Sequence, residues 1–171
     1  MKKRTALLAA LVSLMPMGQT VLIGTGAVLT SAGVMLIVPQ RAQAESAVFY
    51  NNRGIDKQNA GDYYGAIADY NLAIEIDPKN TNAYFNRGIS KKKIGDYYGA
   101  ISDYTKAIEI NPKDDEAYNN RGNLKVLLKD FQGAISDFNH IIQNNPNDSF
   151  ALYNRGRAKA KIGDYYGAIS D

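Results

Sequence analysis

A period of 34 residues constrains this chain more than any other feature. The phrase "GDYYGAI" occupies residues 61–67, 95–101 and 163–169, and a looser copy, "KDFQGAI", fills 129–135. The triplet "NRG" recurs at 52–54, 86–88, 120–122 and 154–156, and proline at Pro78, Pro112 and Pro146. A unit of that length cannot bury its own apolar face and must stack on its neighbour, so the period implies a solenoid. With Ala47 as position 1, the units span 47–80, 81–114, 115–148 and 149–171, the last reaching position 23.

Each unit predicts two helices. The first covers roughly positions 2–14 and ends at a turn made by positions 15 and 16, Gly61 and Asp62 in the first unit. Glycine there supplies the left-handed conformation that closes a helix, and aspartate caps the next one. Lys129 replaces the glycine in the third unit, which leaves that turn less well defined. The second helix runs from position 17 to about position 30 and is stopped by the proline at 32, because the residue before proline is pushed out of helical space. Helical spacing sets Tyr50, Tyr84 and Tyr118 with Gly54, Gly88 and Gly122 on one side of the first helices. Opposite them stand Tyr63, Ala66, Tyr70, Ala73 and their counterparts, so the tyrosines read as core. Gly65 recurs inside the second helix, where it costs helix propensity; a close contact with a neighbouring helix is the expected reason.

Position 7 carries Arg53, Arg87, Arg121 and Arg155 on the side turned toward the second helix. A partly buried guanidinium needs a carboxylate, and position 23 supplies Asp69, Asp103, Asp137 and Asp171 at the same period. Four structural bridges, one per unit, are therefore expected. The other side of the first helix has no packing duty inside the unit. It carries asparagine at every position 6, namely Asn52, Asn86, Asn120 and Asn154. An amide offers a donor and an acceptor, so this ladder suits the backbone of an extended peptide; keeping the face polar or bonding adjacent units is the competing account. Around it lie Asn51, Phe85, Asn119 and Tyr153 at position 5, and Ile55, Ile89, Asn123 and Arg157 at position 9.

An aromatic at position 4, Gly at 8, Ala at 20, an aromatic at 24, Ala at 27 and Pro at 32, in helix-turn-helix units, resembles the tetratricopeptide repeat family across residues 47–171. The departures are Arg at position 7, Lys at position 11 and Leu152 at position 4 of the fourth unit. The resemblance implies an all-α solenoid and a non-enzymatic scaffold that binds a protein or peptide in its concave groove. The groove residues it implies are the asparagine ladder and the side chains at positions 5 and 9. A carboxylate clamp for acidic chaperone tails, as found in some members, is not implied. The corresponding residues are Asn51, Ile55, Asn86, Glu116 and Asn120, of which only Asn86 fits. Lys92 and Lys93 add a small positive spot that a helix end by itself would explain.

Ahead of the repeats, "MKKR" precedes 34 uncharged residues, Thr5 to Val38, then "PQRAQAES" with Ala42 and Ala44 in an A-x-A arrangement. That order is the grammar of a secretory signal cleaved after Ala44. The run Val21–Val38 is also long enough to stay as a membrane anchor, so both alternatives stand for residues 1–44, followed by a repeat domain over 45–171. Either way export is implied, with membrane contact only through residues 5–38. The leader and the repeat phrases look similar to exported repeat proteins of photosynthetic bacteria, which points to periplasm or thylakoid lumen. Gly24-Thr25-Gly26 lacks the frame of a dinucleotide site.

The net charge of +3 belongs to this leader: without Lys2, Lys3, Arg4 and Arg41, 16 of the 20 basic residues face 17 acidic ones. The repeats thus offer no excess positive field for nucleic acid. The chain has no cysteine, no metal-spaced cluster and no nucleophile motif, and its single histidine, His140, reads as solvent-exposed; no cofactor is implied. The sequon "NDS" at 147–149 falls in a turn between units. The repeats stop inside a second helix, which suggests an uncapped end open to self-association. It also keeps alive the alternative that they are the targeting segment of a longer, enzymatic polypeptide.

Overall fold

The computed structural model describes residues 20–23, 27–30, 35–37 and 40–171, with side chains from residue 46 onward. The chain divides into two units, 1–46 and 47–171. In the first, β1 (Thr20–Ile23), β2 (Ala27–Thr30) and β3 (Met35–Ile37) pair antiparallel in the order β1-β2-β3, with Thr20 opposite Thr30 and Ala27 opposite Ile37. The described parts of the uncharged run are therefore strands. Their Val, Ile and Thr residues favour extended backbone, and the glycines that separate them in sequence disfavour a continuous helix. Among the described residues, no helix is long and apolar enough to cross a membrane.

The second unit is the helical array. Helix α1 (Gln40–Asn59) begins just after Pro39 in the sequence, ahead of residue 47 and of the start expected at position 2, so the expected cleavage point after Ala44 falls inside a helix. It is followed by α2 (Tyr63–Ile76), α3 (Thr81–Lys93), α4 (Tyr97–Ile110), α5 (Asp115–Leu127), α6 (Phe131–Asn144), α7 (Ser149–Lys161) and α8 (Tyr165–Ser170). The second helices of the full units occupy positions 17–30, as the proline spacing predicts. Each is capped by an aspartate, Asp62, Asp96, Asp130 or Asp164, whose side chain accepts from the backbone N–H three residues on. First helices are capped the same way by Asn80, Asp114 and Asp148.

Those caps explain the recurring glycine, and the reason differs from the expected contact between helices. Gly65 lies in the first turn of α2, donating its N–H to Asp62 at 2.9 Å. A Cβ there would stand 2.0 Å from the Asp62 carboxylate, and Gly99, Gly133 and Gly167 are crowded identically by their own caps. The turn before each second helix is equally regular. Gly61, Gly95 and Gly163 have φ of 82°, 84° and 86°, and Lys129 is held in the same left-handed region at 66°. The third turn is therefore formed like the others, at a steric cost that lysine bears and glycine does not. Replacing Lys129 by glycine is expected to stabilise the array by about 1 kcal/mol. In a thermal melt this raises the midpoint by about 4 °C; an unchanged midpoint would mean the turn carries no such strain.

Burial follows the helical period. Tyr70, Tyr104 and Phe138 at position 24 are fully buried, and their rings cover Gly54, Gly88 and Gly122, where an added Cβ would lie 2.6–2.9 Å from ring carbons. Leu124 and Ala158 at position 10 cover the preceding second helix, joining Tyr104 and Phe138 in two apolar clusters. The tyrosines do not all enter the core. Tyr64, Tyr98 and Tyr166 at position 18 are more than 70% exposed, because one residue beyond position 17 turns the side chain about 100° away from the buried stripe. His140 is also placed differently from expectation. It is half-buried, stacks on Tyr118 at 3.9 Å between ring centroids, and its Nε2 lies 3.0 Å from the carbonyl oxygen of Pro112, tying the second unit to the third.

Candidate functional site

The candidate groove residues lie on the first helices, and their placement depends on how firmly each first helix is bolted to its second helix. Arg53, Arg87, Arg121 and Arg155 each hold the aspartate sixteen residues on through two bonds, with Nη2–Oδ1 distances of 2.5–2.7 Å. The aspartate side chains are 3–4% exposed. A second cation, which the pattern of arginines alone did not suggest, completes every site. Lys57, Lys91, Lys125 and Lys159 at position 11 reach the other carboxylate oxygen at 2.9 Å. The periodic lysine that looked like a departure from the family pattern is this partner.

The third guanidinium nitrogen reaches backward. Nη1 of Arg87, Arg121 and Arg155 donates to Asn71, Thr105 and Asn139 of the preceding unit at 2.6, 3.0 and 2.7 Å. Arg53 lies in the first unit, and its side chain is 43% exposed against 14–17% for the others. The Arg53 hydrogen bond, helped by Lys57, holds the Asp69 carboxyl below the usual carboxylate range against the opposing effect of burial. At Asp171 burial pushes upward, but the bonds from Arg155 and Lys159 outweigh it and the net direction is again down.

On the face away from these bridges, the asparagine amides stand unequally. Asn52 is exposed, while Asn86, Asn120 and Asn154 are half-buried. Asn86 donates to Asn51 at 3.5 Å, joining the first two units. Asn120 is occupied on both sides, accepting from Lys92 Nζ at 3.0 Å and donating to the carbonyl of Glu116 at 3.0 Å. Asn154 accepts from Arg157 at 3.4 Å. Burial, reinforced by the charge of Lys93, holds Lys92 below the ordinary lysine range, so it is more than a solvated helix end.

The neighbours at positions 5 and 9 divide between core and groove. Phe85 packs against Tyr104 at 5.7 Å between ring centroids, Ile89 packs against the same cluster, and Asn51 is buried. Ile55 and Asn119 are half-buried, and Asn119 accepts from the exposed Asn123 at 3.3 Å. Tyr153 is 65% exposed with the Arg157 guanidinium 5.6 Å above its ring. Phe150, at position 2 of the fourth unit, is 77% exposed beside it. Position 2 shares the open side of the first helix with positions 5, 6 and 9, and that helical period is the sequence signal that places Phe150 there. Among the described residues, no group of three His, Asp or Glu side chains could hold a metal ion.

Family models agree with this architecture. A tetratricopeptide repeat model matches residues 81–114, a TPR repeat model matches 59–95, and a further tetratricopeptide repeat model matches 103–136. The chain belongs to the tetratricopeptide repeat family. Solved tetratricopeptide repeat structures share its fold. The crystal structure of MamA protein is 27% identical over 74% of this chain and 69% of that chain, with a TM-score of 0.70. The second TPR domain of human RPAP3 in complex with the HSP70 peptide SGPTIEEVD is 27% identical over 71% of this chain and 98% of that one, at 0.62. The first TPR of Spaghetti (RPAP3), bound to the HSP90 peptide SRMEEVD, is 22% identical over 70% and 95%, at 0.67. No curated protein matches the sequence.

Proposed function

We propose that this tetratricopeptide repeat array is a non-enzymatic scaffold that holds an extended peptide segment of a partner protein along the concave face of its first helices. The observation that carries the reading is the amide at position 6 of every unit, on the face that the Arg–Asp–Lys bridges leave free. Among the described residues, Asn52 has both amide atoms open, Asn86 keeps its acceptor and Asn154 its donor. Such groups suit a peptide backbone. The human RPAP3 domain, solved in complex with a peptide, supports peptide binding by an array of this fold. The clamp for an acidic tail is absent here, and Glu116 stands where a cation would be needed. The proposal includes an exported location, periplasm or thylakoid lumen, with residues 1–44 as a cleaved signal or retained anchor. A mature amino terminus at Glu45 by mass spectrometry would exclude the anchor.

The test is a peptide array probed with the chain and with a variant carrying Asn52→Ala, Asn86→Ala, Asn120→Ala and Asn154→Ala. Loss of several backbone bonds is expected to weaken captured peptides by about tenfold to a hundredfold. Equal capture by both proteins would sink the ladder.

A further inference from the structure

One junction breaks the periodicity of the groove. Between α5, the start of α6 and α7 lies a cleft of about 610 Å³. Val126, Leu127 and Phe131 give it an apolar floor, and Lys129, Arg157 and Lys161 stand around it. Leu127 is 57% exposed. The corresponding residues at the junction of the first two units are Gln58, Asn59, Tyr63, Gly61, Ile89 and Lys93, and at the next junction Lys92, Lys93, Tyr97, Gly95, Asn123 and Leu127. Neither combines exposed aliphatic residues with three cations.

The three cations have no acidic partner. None of the salt bridges among the described residues involves Lys129, Arg157 or Lys161, and the cleft lining contains no carboxylate. Lysine at a helix end offsets the negative end of the helix dipole, which accounts for a cation in such a place but not for the bare Leu127 between cations. Lys129 adds a second, independent observation. It is the one described non-glycine residue with positive φ, at the position where the other three units have glycine. Strained backbone at a non-glycine residue is common where a side chain has a binding role, and the side chain of Lys129 lines the cleft.

We propose that this cleft receives a segment of a partner protein in which an aspartate or glutamate adjoins a large aliphatic or aromatic residue. The apolar side chain covers Val126, Leu127 and Phe131, and the carboxylate lies among Lys129, Arg157 and Lys161. The inference rests on the groove reading and adds to it the chemistry of the ligand and the end of the groove that selects it.

The probes are fluorescein-labelled peptides with a carboxy-terminal amide, glycine-serine flanks and a centre of Glu-Leu-Asp-Phe, Lys-Leu-Lys-Phe or Glu-Ser-Asp-Ser, titrated with the full chain by anisotropy. The first is expected to bind about tenfold or more tightly than either control, and Arg157→Glu with Lys161→Glu to remove that preference. Leu127→Asn is expected to lose the apolar part alone. Lys129→Gly is expected to weaken the acidic peptide while raising the thermal midpoint, a combination that misfolding cannot produce. Binding of the first peptide that survives the charge reversals but is lost with the four asparagine substitutions would overturn the cleft and leave the groove standing. Binding lost with the charge reversals and kept without the asparagines would support the cleft and remove the ladder. Equal binding of all three peptides, or none, would overturn the proposal. So would concentration-dependent self-association abolished by Lys161→Glu, which would assign the cleft to a second copy.

Discussion

Replacing Asp103 by alanine is expected to cost about 3–5 kcal/mol, because it leaves two half-buried cations, Arg87 and Lys91, without their shared carboxylate. Arg87→Leu is expected to cost less, about 1–3 kcal/mol, since Lys91 still neutralises Asp103. Replacing all three by apolar residues is expected to recover much of the loss, because no charge is then stranded. Thermal and denaturant melts of the three variants give the ranking. If Asp103→Ala were no worse than Arg87→Leu, the carboxylate would not be the hub of the unit. The pH dependence has a definite sign. Asp69 and Asp171 have lowered folded values, so their contribution is present above the unfolded value of about 4 and is lost as pH falls through the folded value. The melting midpoint should therefore fall on acidification below about pH 4.

Replacing Tyr104 by alanine is expected to cost about 3–5 kcal/mol, since its ring fills the space above Gly88 and contacts Leu124 of the next unit. Phenylalanine at the same site is expected to be neutral or to stabilise by up to about 1 kcal/mol. The buried Tyr104 hydroxyl has no hydrogen-bond partner among the described residues. Tyr70, its counterpart, donates to Gln58 at 3.2 Å, so Tyr70→Phe should cost about 1 kcal/mol. The third unit already has Phe138 there. Chemical denaturation of the three variants separates ring from hydroxyl. A Tyr104→Phe loss larger than that of Tyr70→Phe would contradict the assignment.

The partner at position 12 decides the difference between the two tyrosines. Gln58 turns inward to accept from Tyr70 and from Ser90, whereas Lys92 at the same position turns to Asn120. A glutamine and a lysine at equivalent places are both unremarkable polar residues in a string of letters. Which one satisfies a buried hydroxyl depends on what stands across the unit boundary.

The period, the limits of the second helices, the glycine-to-ring packing and the pairing of position 7 with position 23 were legible in the sequence. These depend on local geometry that repeats identically: 3.6 residues per turn, a proline stop and a charge needing its opposite. What only the tertiary structure decided lies where one residue meets several elements. The second cation at position 11, the saturation of Asn120, the burial of Phe85 and the stacking of His140 all require knowing which neighbour comes within reach. The cleft at the third junction belongs to the same class. Its apolar floor comes from α5 and α6, two of its cations from α7 and the third from a strained turn, residues that only packing brings to one place.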